Sequence, residues 1–434
     1  MRAAILALLI TTSFMTPAVA GTWYVAPPSL GGNDANNGES TLTPFATITK
    51  GLTKLTTGGD VLYVRGGTYN EFVEILSKHG SSDTVPIRIM DYNDETPVID
   101  VAGVTGTGAA VIIGDSSYIR FDGFTVRNSP EAGIRIRDSH HIRVRWNTVE
   151  NSQKFGIVAA TASASSFGTT NNIVIQSNTV RRNVLNNSGR NISNWTQAIG
   201  TLRVNDVDIT DNYGVNIYLD NTTDAVVDRN FCMAGRVQNA SSYTRDGFGA
   251  SGIRVANEEH LINGVEVQNP VNNLTITNNI TVNGKFGFTY SLSDNGGGLH
   301  NTLIANNTFY GAEDLLLYIQ NEDNQDVHDS TTIRNNIFYA RSGEDYAYAP
   351  GSNITYGYNC WYNGNSGTQK SGGGDVLGNP LLVNPGSGTK TDYKIASSSS
   401  PCVNTGTYHS AVTEDYWGTG RDSMHDIGAH EFVP

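Results

Sequence analysis

The sequence predicts an all-β fold in which short strands wind into the stacked coils of a parallel β-helix. An asparagine recurs just before a short apolar or Thr-rich step, and successive copies lie roughly 20 to 50 residues apart, a spacing typical of stacked repeats. The strands are short and show no helical period, and the tight two-residue hairpins of a propeller or sandwich are not seen. The recurring residues are Asn147, Asn178, Asn230, Asn279, Asn307, Asn336 and Asn359.

Direct repetition of sequence supports the coils. Residues 119–129 align without gaps on residues 142–152, and a third copy starts at residue 173. A second strand tends to follow each copy, and its alternation predicts which side chains face the interior. We expect the asparagines to bond neighbouring backbone at a repeated bend, not to act in catalysis. The alternation places Ile134, Ile136, Ile253 and Val255 inward and Arg135, Arg137 and Arg254 outward.

The two ends of the chain differ from the repeats. Residues 1–20 combine a basic start, an apolar stretch and small residues before Gly21, which is typical of a signal peptide cleaved near Ala20. Residues 21–100 read as an N-terminal cap with the first coils, including an amphipathic helix that buries Ile48, Leu52 and Leu55. Residues 101–365 read as coils and 366–434 as further coils with an irregular cap. Insertions at 181–198 and 233–250 interrupt two coils. We therefore expect a secreted or periplasmic protein without a membrane span.

The net charge and the cysteine count limit the classes of binding partner and the covalent cross-links that the chain can have. The formal charge is −13, which argues against nucleic acid, whose phosphates favour clustered Lys and Arg. Three cysteines are too few for a disulfide framework, although pairing of Cys360 with Cys402 remains open. The sequence does not indicate an oligomeric state.

Segments at both ends resemble a known group, the secreted right-handed parallel β-helix proteins, nearest to family 9 pectate lyases and the alginate lyase/chondroitinase B group. The N-terminal match runs from Trp23 through residues 44–48 to residues 59–69, and the C-terminal match includes residues 392–395 and 426–432. The resemblance implies a right-handed single-stranded β-helix with an N-terminal helical cap and an irregular C-terminal cap. It also implies action on a polysaccharide or oligosaccharide.

Family 9 lyases use a lysine base and a cluster of calcium-binding aspartates. Lys154, at a turn, has suitable chemistry for the base, but no aspartate cluster here matches the calcium site residue by residue. Ca²⁺ is therefore expected only as an option, with Asp220 and Glu258 as its candidate ligands.

Cleavage of a uronic-acid glycan by β-elimination requires a group that neutralises the sugar carboxylate and a base that removes the C5 proton. The leading hypothesis is such a lyase, with Tyr218, Arg254 and Lys154 as catalytic residues. Tyr218 and Arg254 are expected on one outward face in neighbouring coils. The candidate substrate-binding residues are Arg135, Arg137, Asn216, Arg245, Asp246, Trp195 and Tyr243.

Two other functions stay open. A glycoside hydrolase would use paired carboxyl groups, for which Asp220 with Asp224, Asp246 or Glu258 qualifies. A non-catalytic glycan-binding protein would instead show an exposed aromatic stripe, for which Trp195, Tyr243 and Tyr290 are candidates. Non-catalytic structural roles are alternatives for two of these residues. Tyr218 could be a surface aromatic, and Arg254 could pair with Asp220 in a solvated ladder.

Overall fold

The structure, a computed structural model, is a parallel β-helix whose coils each contribute strands to three sheets. As predicted, the strands pair in parallel with those of the preceding and following coils. Among the described strands, the short pair Leu261–Ile262 and Val265–Glu266 is antiparallel instead. The structure describes residues 19–162, 165, 167–181, 183, 198–214, 216–233, 251–258, 261–262, 265–266, 271–292, 297–320 and 328–434.

Each coil passes through the three sheets in a fixed order, which we number along the chain. Sheet 1 contains Thr22–Val25, Val61–Val64, Ile87–Asp91, Ser117–Asp122, His140–Arg145, Asn171–Gln176, Asn205–Thr210, Thr223–Asp228, Val271–Thr277, Leu299–His300, Leu303–Ala305, Thr331–Arg334 and Ile354–Gly357. Sheet 2 contains Gly67–Tyr69, Pro97–Asp100, Thr125–Arg127, Thr148–Glu150 and Thr179–Arg181, then Phe231–Met233, Ile280–Val282, Thr308–Tyr310, Ile337–Tyr339, Cys360–Tyr362 and Val376–Leu377. Sheet 3 contains Val73–Leu76, Val111–Gly114, Ile134–Arg137, Ile157–Ala160, Ile199–Leu202, Ile217–Asp220, Ile253–Asn257, Phe286–Leu292, Leu315–Ile319 and Ala347–Tyr348.

The interior is a set of aliphatic columns. On sheet 3, Ile134, Ile157, Ile199, Ile217 and Ile253 occupy one register position in five successive coils and are fully buried. Burial of each such side chain contributes about 1.5–3 kcal/mol. The predicted alternation is thereby confirmed, because the residues between these columns point to the outer face.

The asparagine ladder exists as predicted and runs between sheets 1 and 2. Asn147 accepts a hydrogen bond from the main-chain N–H of Phe124, and each later ladder side chain accepts one from the ladder residue a coil earlier, as Asn178 does from Asn147 at 3.0 Å. The sequence analysis missed one rung, Asn212, which bonds Asn178 and Asn230 in the same way. Asn212 precedes Tyr213 and Gly214 instead of an apolar or Thr-rich step.

Inside sheet 2, aromatic rings stack from coil to coil. The rings of Phe309 and Phe338 lie 5.2 Å apart, and those of Phe338 and Trp361 lie 4.3 Å apart. The aromatic residues that follow the ladder asparagines therefore stack inside the coils.

The N-terminal helix spans Ile48–Leu52, and the Thr47 side chain caps it by accepting from the Lys50 N–H. Ile48, Leu52 and Leu55 are buried, as expected for a helix that covers the first coil. Short 3₁₀ helices span Pro28–Leu30 and Lys390–Tyr393. Cys232, Cys360 and Cys402 are buried free thiols. Within the described part of the chain, no helix has the length and apolar character needed to cross a bilayer.

Candidate functional site

Four polar side chains converge on the outer face of sheet 3. Tyr218 lies directly opposite Arg254 in the register of Ile217–Asp220 with Ile253–Asn257. The Arg254 guanidinium carbon lies 4.9 Å from the centre of the Tyr218 ring. Asp220 follows Tyr218 by two residues and therefore shares its face. Glu258 comes directly after the Arg254 strand.

Glu258 is the centre of this group. Its Oε1 accepts hydrogen bonds from the Tyr218 hydroxyl at 2.5 Å and from Arg254 Nη2 at 3.3 Å. Asn221 Nδ2 donates to its main-chain carbonyl at 2.5 Å and fixes the turn that carries it. Arg254 is held from its other side, because its Nε donates to Ser291 Oγ at 3.0 Å. Arg254 therefore pairs with Glu258, and the simple ladder with Asp220 suggested by the sequence does not form.

Asp220 is a buried carboxyl group beside Glu258. It is 3% exposed, and it accepts a hydrogen bond from the Glu258 main-chain N–H. Its Oδ1 has no hydrogen-bond partner within the described part of the chain. Burial, followed by the nearby Glu258 charge, raises the pKa of Asp220 well above its ordinary value, while Arg203 opposes the rise. The direction of this shift favours the protonated form of the Asp220 carboxyl group.

Tyr218 is buried, which corrects the suggestion of a surface aromatic. Burial, with the Asp220 and Glu258 charges, raises the pKa of its hydroxyl well above the usual value. A phenol held protonated is a poor base, so its chemical role here is to donate a hydrogen bond to Glu258. Its ring belongs to an apolar cluster that includes Phe155 and Val158.

The other predicted cationic residues, Arg135, Arg137 and Lys154, lie on or next to sheet 3 but several coils away from the site. Three strand steps, about 14 Å, separate Arg135 from Tyr218 along one register column. Arg135 pairs with Glu131, and Lys154 Nζ lies 3.9 Å from the same carboxylate. Arg137 is exposed, with Asp138 and Asp115 at 3.7 and 3.9 Å. The structure does not bring Lys154 to the site, so its role as the base lacks geometric support.

Two further expectations have structural outcomes. Asn216 is buried and its Oδ1 accepts the Ala198 N–H at 2.8 Å, so this contact serves the preceding coil. Tyr290 is fully buried in the core, which corrects its place in an exposed aromatic stripe. Other candidates lie outside the described residues: Trp195, Tyr243, Arg245 and Asp246.

The donor set is a poor fit for calcium. Ca²⁺ takes six to eight oxygen ligands. Glu258 Oε1 already accepts from Tyr218 and Arg254, and the raised pKa of Asp220 favours its neutral form. Among the described residues, no group of three or more His, Cys, Asp or Glu side chains could hold a metal. We therefore derive no step through calcium, and the cofactor stays a prediction for a chelator experiment.

Sequence reasoning missed the residues that support this site. Arg203, Asn221 and Ser291 come from separate coils, and only their register with Asp220 and Arg254 shows their relevance. Gly200 is another such residue, because a Cβ there would lie 2.6 Å from the Phe155 ring. Alternation along Phe286–Leu292 could have pointed to Ser291.

Comparisons with known proteins agree with this architecture. Residues 23–193 match the family model of the Pel9A-like right-handed β-helix region. A crystal structure of pectate lyase Pel9A is similar, with a TM-score of 0.62, 16% identity, and 96% of this chain and 97% of that chain covered. The structure of XylC in complex with xylose is also similar, with a TM-score of 0.58 and 11% identity. The alignment covers 95% of this chain and 98% of that chain.

A third similar structure is the lacto-N-biosidase of Eubacterium ramulus from family GH136. Its TM-score is 0.50 and its identity 15%, with 82% of this chain and 67% of that chain covered. No curated protein sequence matches the chain. The predicted resemblance and the right-handed parallel β-helix are thereby confirmed, and identities this low establish the fold alone.

Proposed function

We propose that this protein is a secreted enzyme that cleaves glycosidic bonds in a polysaccharide, with Asp220 and Glu258 as its acid–base pair. The observation that carries the proposal is that two carboxyl groups with different surroundings lie side by side on sheet 3. Asp220 is buried, accepts the Glu258 main-chain N–H and has a raised pKa, whereas the Glu258 carboxyl group accepts hydrogen bonds from Arg254 and Tyr218. A carboxyl group whose pKa is raised by burial is suited to the role of general acid beside a second carboxyl group.

Hydrolysis is the reaction that this pair supports best. Asp220 would give its proton to the glycosidic oxygen as the bond to the anomeric carbon breaks. Glu258 would either act as a base that activates water for attack on the anomeric carbon, or attack that carbon itself as the nucleophile. Arg254 and Tyr218 would orient Glu258. The fold supports this reaction class, because the lacto-N-biosidase of similar fold is a glycoside hydrolase.

Eliminative cleavage of a uronic-acid glycan is the second candidate. It is favoured by the match to the Pel9A-like region and by Arg254, a cation suited to a sugar carboxylate. It is weakened by the protonated Tyr218 and by the distant Lys154.

One assay separates the two reactions. The purified protein is incubated with a panel of uronans and neutral glycans, with and without chelator, and both new reducing ends and the ultraviolet absorbance of unsaturated ends are followed. Hydrolysis gives reducing ends without absorbance, and elimination gives both. Inhibition by chelator would support the calcium expectation. Binding without any cleavage would contradict the enzyme proposal.

Site variants connect the activity to the geometry. Glu258→Gln and Asp220→Asn should each lower the rate by roughly 10²–10⁴-fold, the usual contribution of a positioned acid or base. Glu74→Gln is a matched control, because Glu74 is exposed and lies on the outer face of sheet 3, in the same register column as Arg135 and Tyr218. Equal activity of Glu258→Gln and Glu74→Gln would reject this site.

A further inference from the structure

A second polar surface lies on sheet 1, on a different face of the coil from the site on sheet 3. It contains a cleft of about 450 Å³ that crosses four successive strands, from His140–Arg145 to Thr223–Asp228. Arg143 and Arg145 line one end of the cleft, Asp208 and Asp228 line the other, and Val174 lies between them. The site proposed for catalysis uses none of these residues.

Arginines continue from the cleft toward the N-terminus in one register column. Arg88 pairs in register with Arg120, and Arg120 with Arg143, in three successive coils. Arg120 donates to the main-chain carbonyl of Asp83, not to a carboxylate. Burial, and then the charges of Arg145, Arg88 and Arg143, lower the pKa of Arg120. Like charges stacked this closely cost stability, which an anionic ligand would relieve.

This cationic column lies in a chain whose formal charge is −13. An acidic ligand would be repelled by most of the surface and attracted here. Arg143 and Arg145 are partly exposed and already ordered, by Asp83 at 3.1 Å and Asp122 at 2.7 Å respectively. An ordered guanidinium loses less conformational entropy when it binds a carboxylate.

An exposed tryptophan stands at the edge of the cleft. Trp146 is 58% exposed, and the Arg145 guanidinium carbon lies 4.4 Å from its ring centre. Its φ of 56° is left-handed, a conformation unfavourable for a bulky residue. Gly123 and Ser177 hold the same turn position in neighbouring coils. The turn itself therefore does not require a large aromatic side chain, and an exposed indole suits the apolar face of a sugar ring.

The two ends of the cleft differ, since arginines form one end and the other combines Asp208 with Asp228 and its partner Arg229. Arg143 and Asp208 lie two strand steps apart, about 10 Å, with Val174 between them. Burial, followed by the Asp206 charge, raises the pKa of Asp208, so its carboxyl group is suited to hydrogen bonds with hydroxyl groups. A sugar unit that carries one carboxylate and several hydroxyl groups matches this arrangement.

We infer that the outer face of sheet 1 is a second carbohydrate-binding site, which takes a carboxylate-bearing sugar of an acidic oligosaccharide between Arg143 and Asp208 beside Trp146. Its location away from Asp220 and Glu258 makes it a site for holding the glycan, not for cleaving it. The inference does not depend on which reaction sheet 3 performs.

Calorimetry on the Glu258→Gln protein tests the site without turnover. The probe is trigalacturonate, compared with its methyl ester, which is the same sugar without charge. Arg143→Gln and Trp146→Ala should each weaken one class of trigalacturonate binding by roughly tenfold or more, the scale of a charged hydrogen bond. The methyl ester should bind correspondingly weakly to the parent protein.

Two controls protect the conclusion. Arg181→Gln removes an exposed arginine, paired with Glu150, from sheet 2 and should leave the binding unchanged. Arg120→Gln repeats the test without disturbing the Asp83 carboxylate, and melting temperatures near the parent value show that each variant folds. Unchanged trigalacturonate binding in Arg143→Gln, Arg120→Gln and Trp146→Ala, or equal binding of the methyl ester, would overturn the inference. Loss of catalysis in Glu258→Gln with intact trigalacturonate binding keeps the two proposals distinguishable.

Discussion

The chemistry of the sheet 3 site depends on how one carboxyl group is buried. Asp220 is adjacent to Glu258 and is 3% exposed, so its ionised form is unfavourable in the native state. In the unfolded chain its pKa returns to about 3.8. The protonated group therefore favours folding fully below that pKa, and the contribution is lost as pH rises through the raised native pKa.

Asp220→Asn should remove this pH dependence. The amide resembles the neutral carboxyl group in shape, so the variant should fold, and near neutral pH its free energy of unfolding should equal or exceed that of the parent. Its activity should nevertheless be lost, because an amide cannot give a proton to the leaving oxygen. Denaturant unfolding across a pH series measures the first effect, with Glu74→Gln as control. A variant that is less stable than the parent at every pH would contradict this account.

Arg203 offers a test that a purely structural role would not pass. It lies one coil before Asp220, and its charge lowers the pKa of Asp220. Arg203→Gln should raise that pKa further, so the alkaline limb of the kcat/KM profile should move to higher pH. Arg181→Gln, on another sheet, should not shift it. A limb that moves to lower pH would show that Asp220 is not the acid.

At the scale of the element, the asparagine ladder is a structural device. Asn212 accepts from the Asn178 N–H at 3.0 Å and donates to the Ile175 carbonyl at 2.9 Å, all in the buried interior. Removal of the side chain leaves buried polar groups without partners, each at a cost of about 1–3 kcal/mol.

Asn212→Ala should therefore lower the free energy of unfolding by about 3 kcal/mol or more, through two or more orphaned groups. Asn365→Ala, an exposed asparagine in a loop, should change it by less than about 0.5 kcal/mol. Denaturation midpoints followed by circular dichroism measure both. Equal midpoints for the two variants would mean that the ladder adds little stability.

The ladder also shows how far the sequence could be interpreted at this scale. Seven rungs were recognisable from Asn followed by an apolar or Thr-rich step, and the structure confirms them. Asn212 escaped because Tyr213 and Gly214 follow it, yet Tyr213 still bridges both Thr179 and Phe231 in sheet 2. A rung can therefore be recognised from the sequence only where an apolar or Thr-rich step follows the asparagine.

At the scale of the whole molecule, one buried arginine joins the C-terminal cap to the coils alongside several main-chain contacts. Arg421 pairs with Glu431 at 3.0 Å and donates to Asn278 Oδ1 at 2.8 Å, with its side chain fully buried. Burial lowers the pKa of Arg421 and raises the pKa of Glu431. A buried pair of this kind is costly to break from one side only.

Arg421→Met should destabilise the protein by about 3–5 kcal/mol, because Glu431 is left buried without its partner. The double variant Arg421→Met with Glu431→Leu should recover much of that loss. Thermal and denaturant midpoints of the single and double variants form the test. A single variant as stable as the parent would show that the cap does not rely on this pair.

The sequence by itself determined the coil architecture, the inward and outward faces, the ladder and the presence of Tyr218 and Arg254 on one face. These properties are written in local periodicity, since strand alternation and bends depend on neighbouring residues. Only the tertiary structure decided that Glu258 bonds both Tyr218 and Arg254, that Asp220 is buried beside it, and that Arg143 lines a cleft with Arg120 next to it in register. Such contacts join residues from different coils. Their register follows from the lengths of the intervening loops, and their pKa values follow from burial, which no local pattern records.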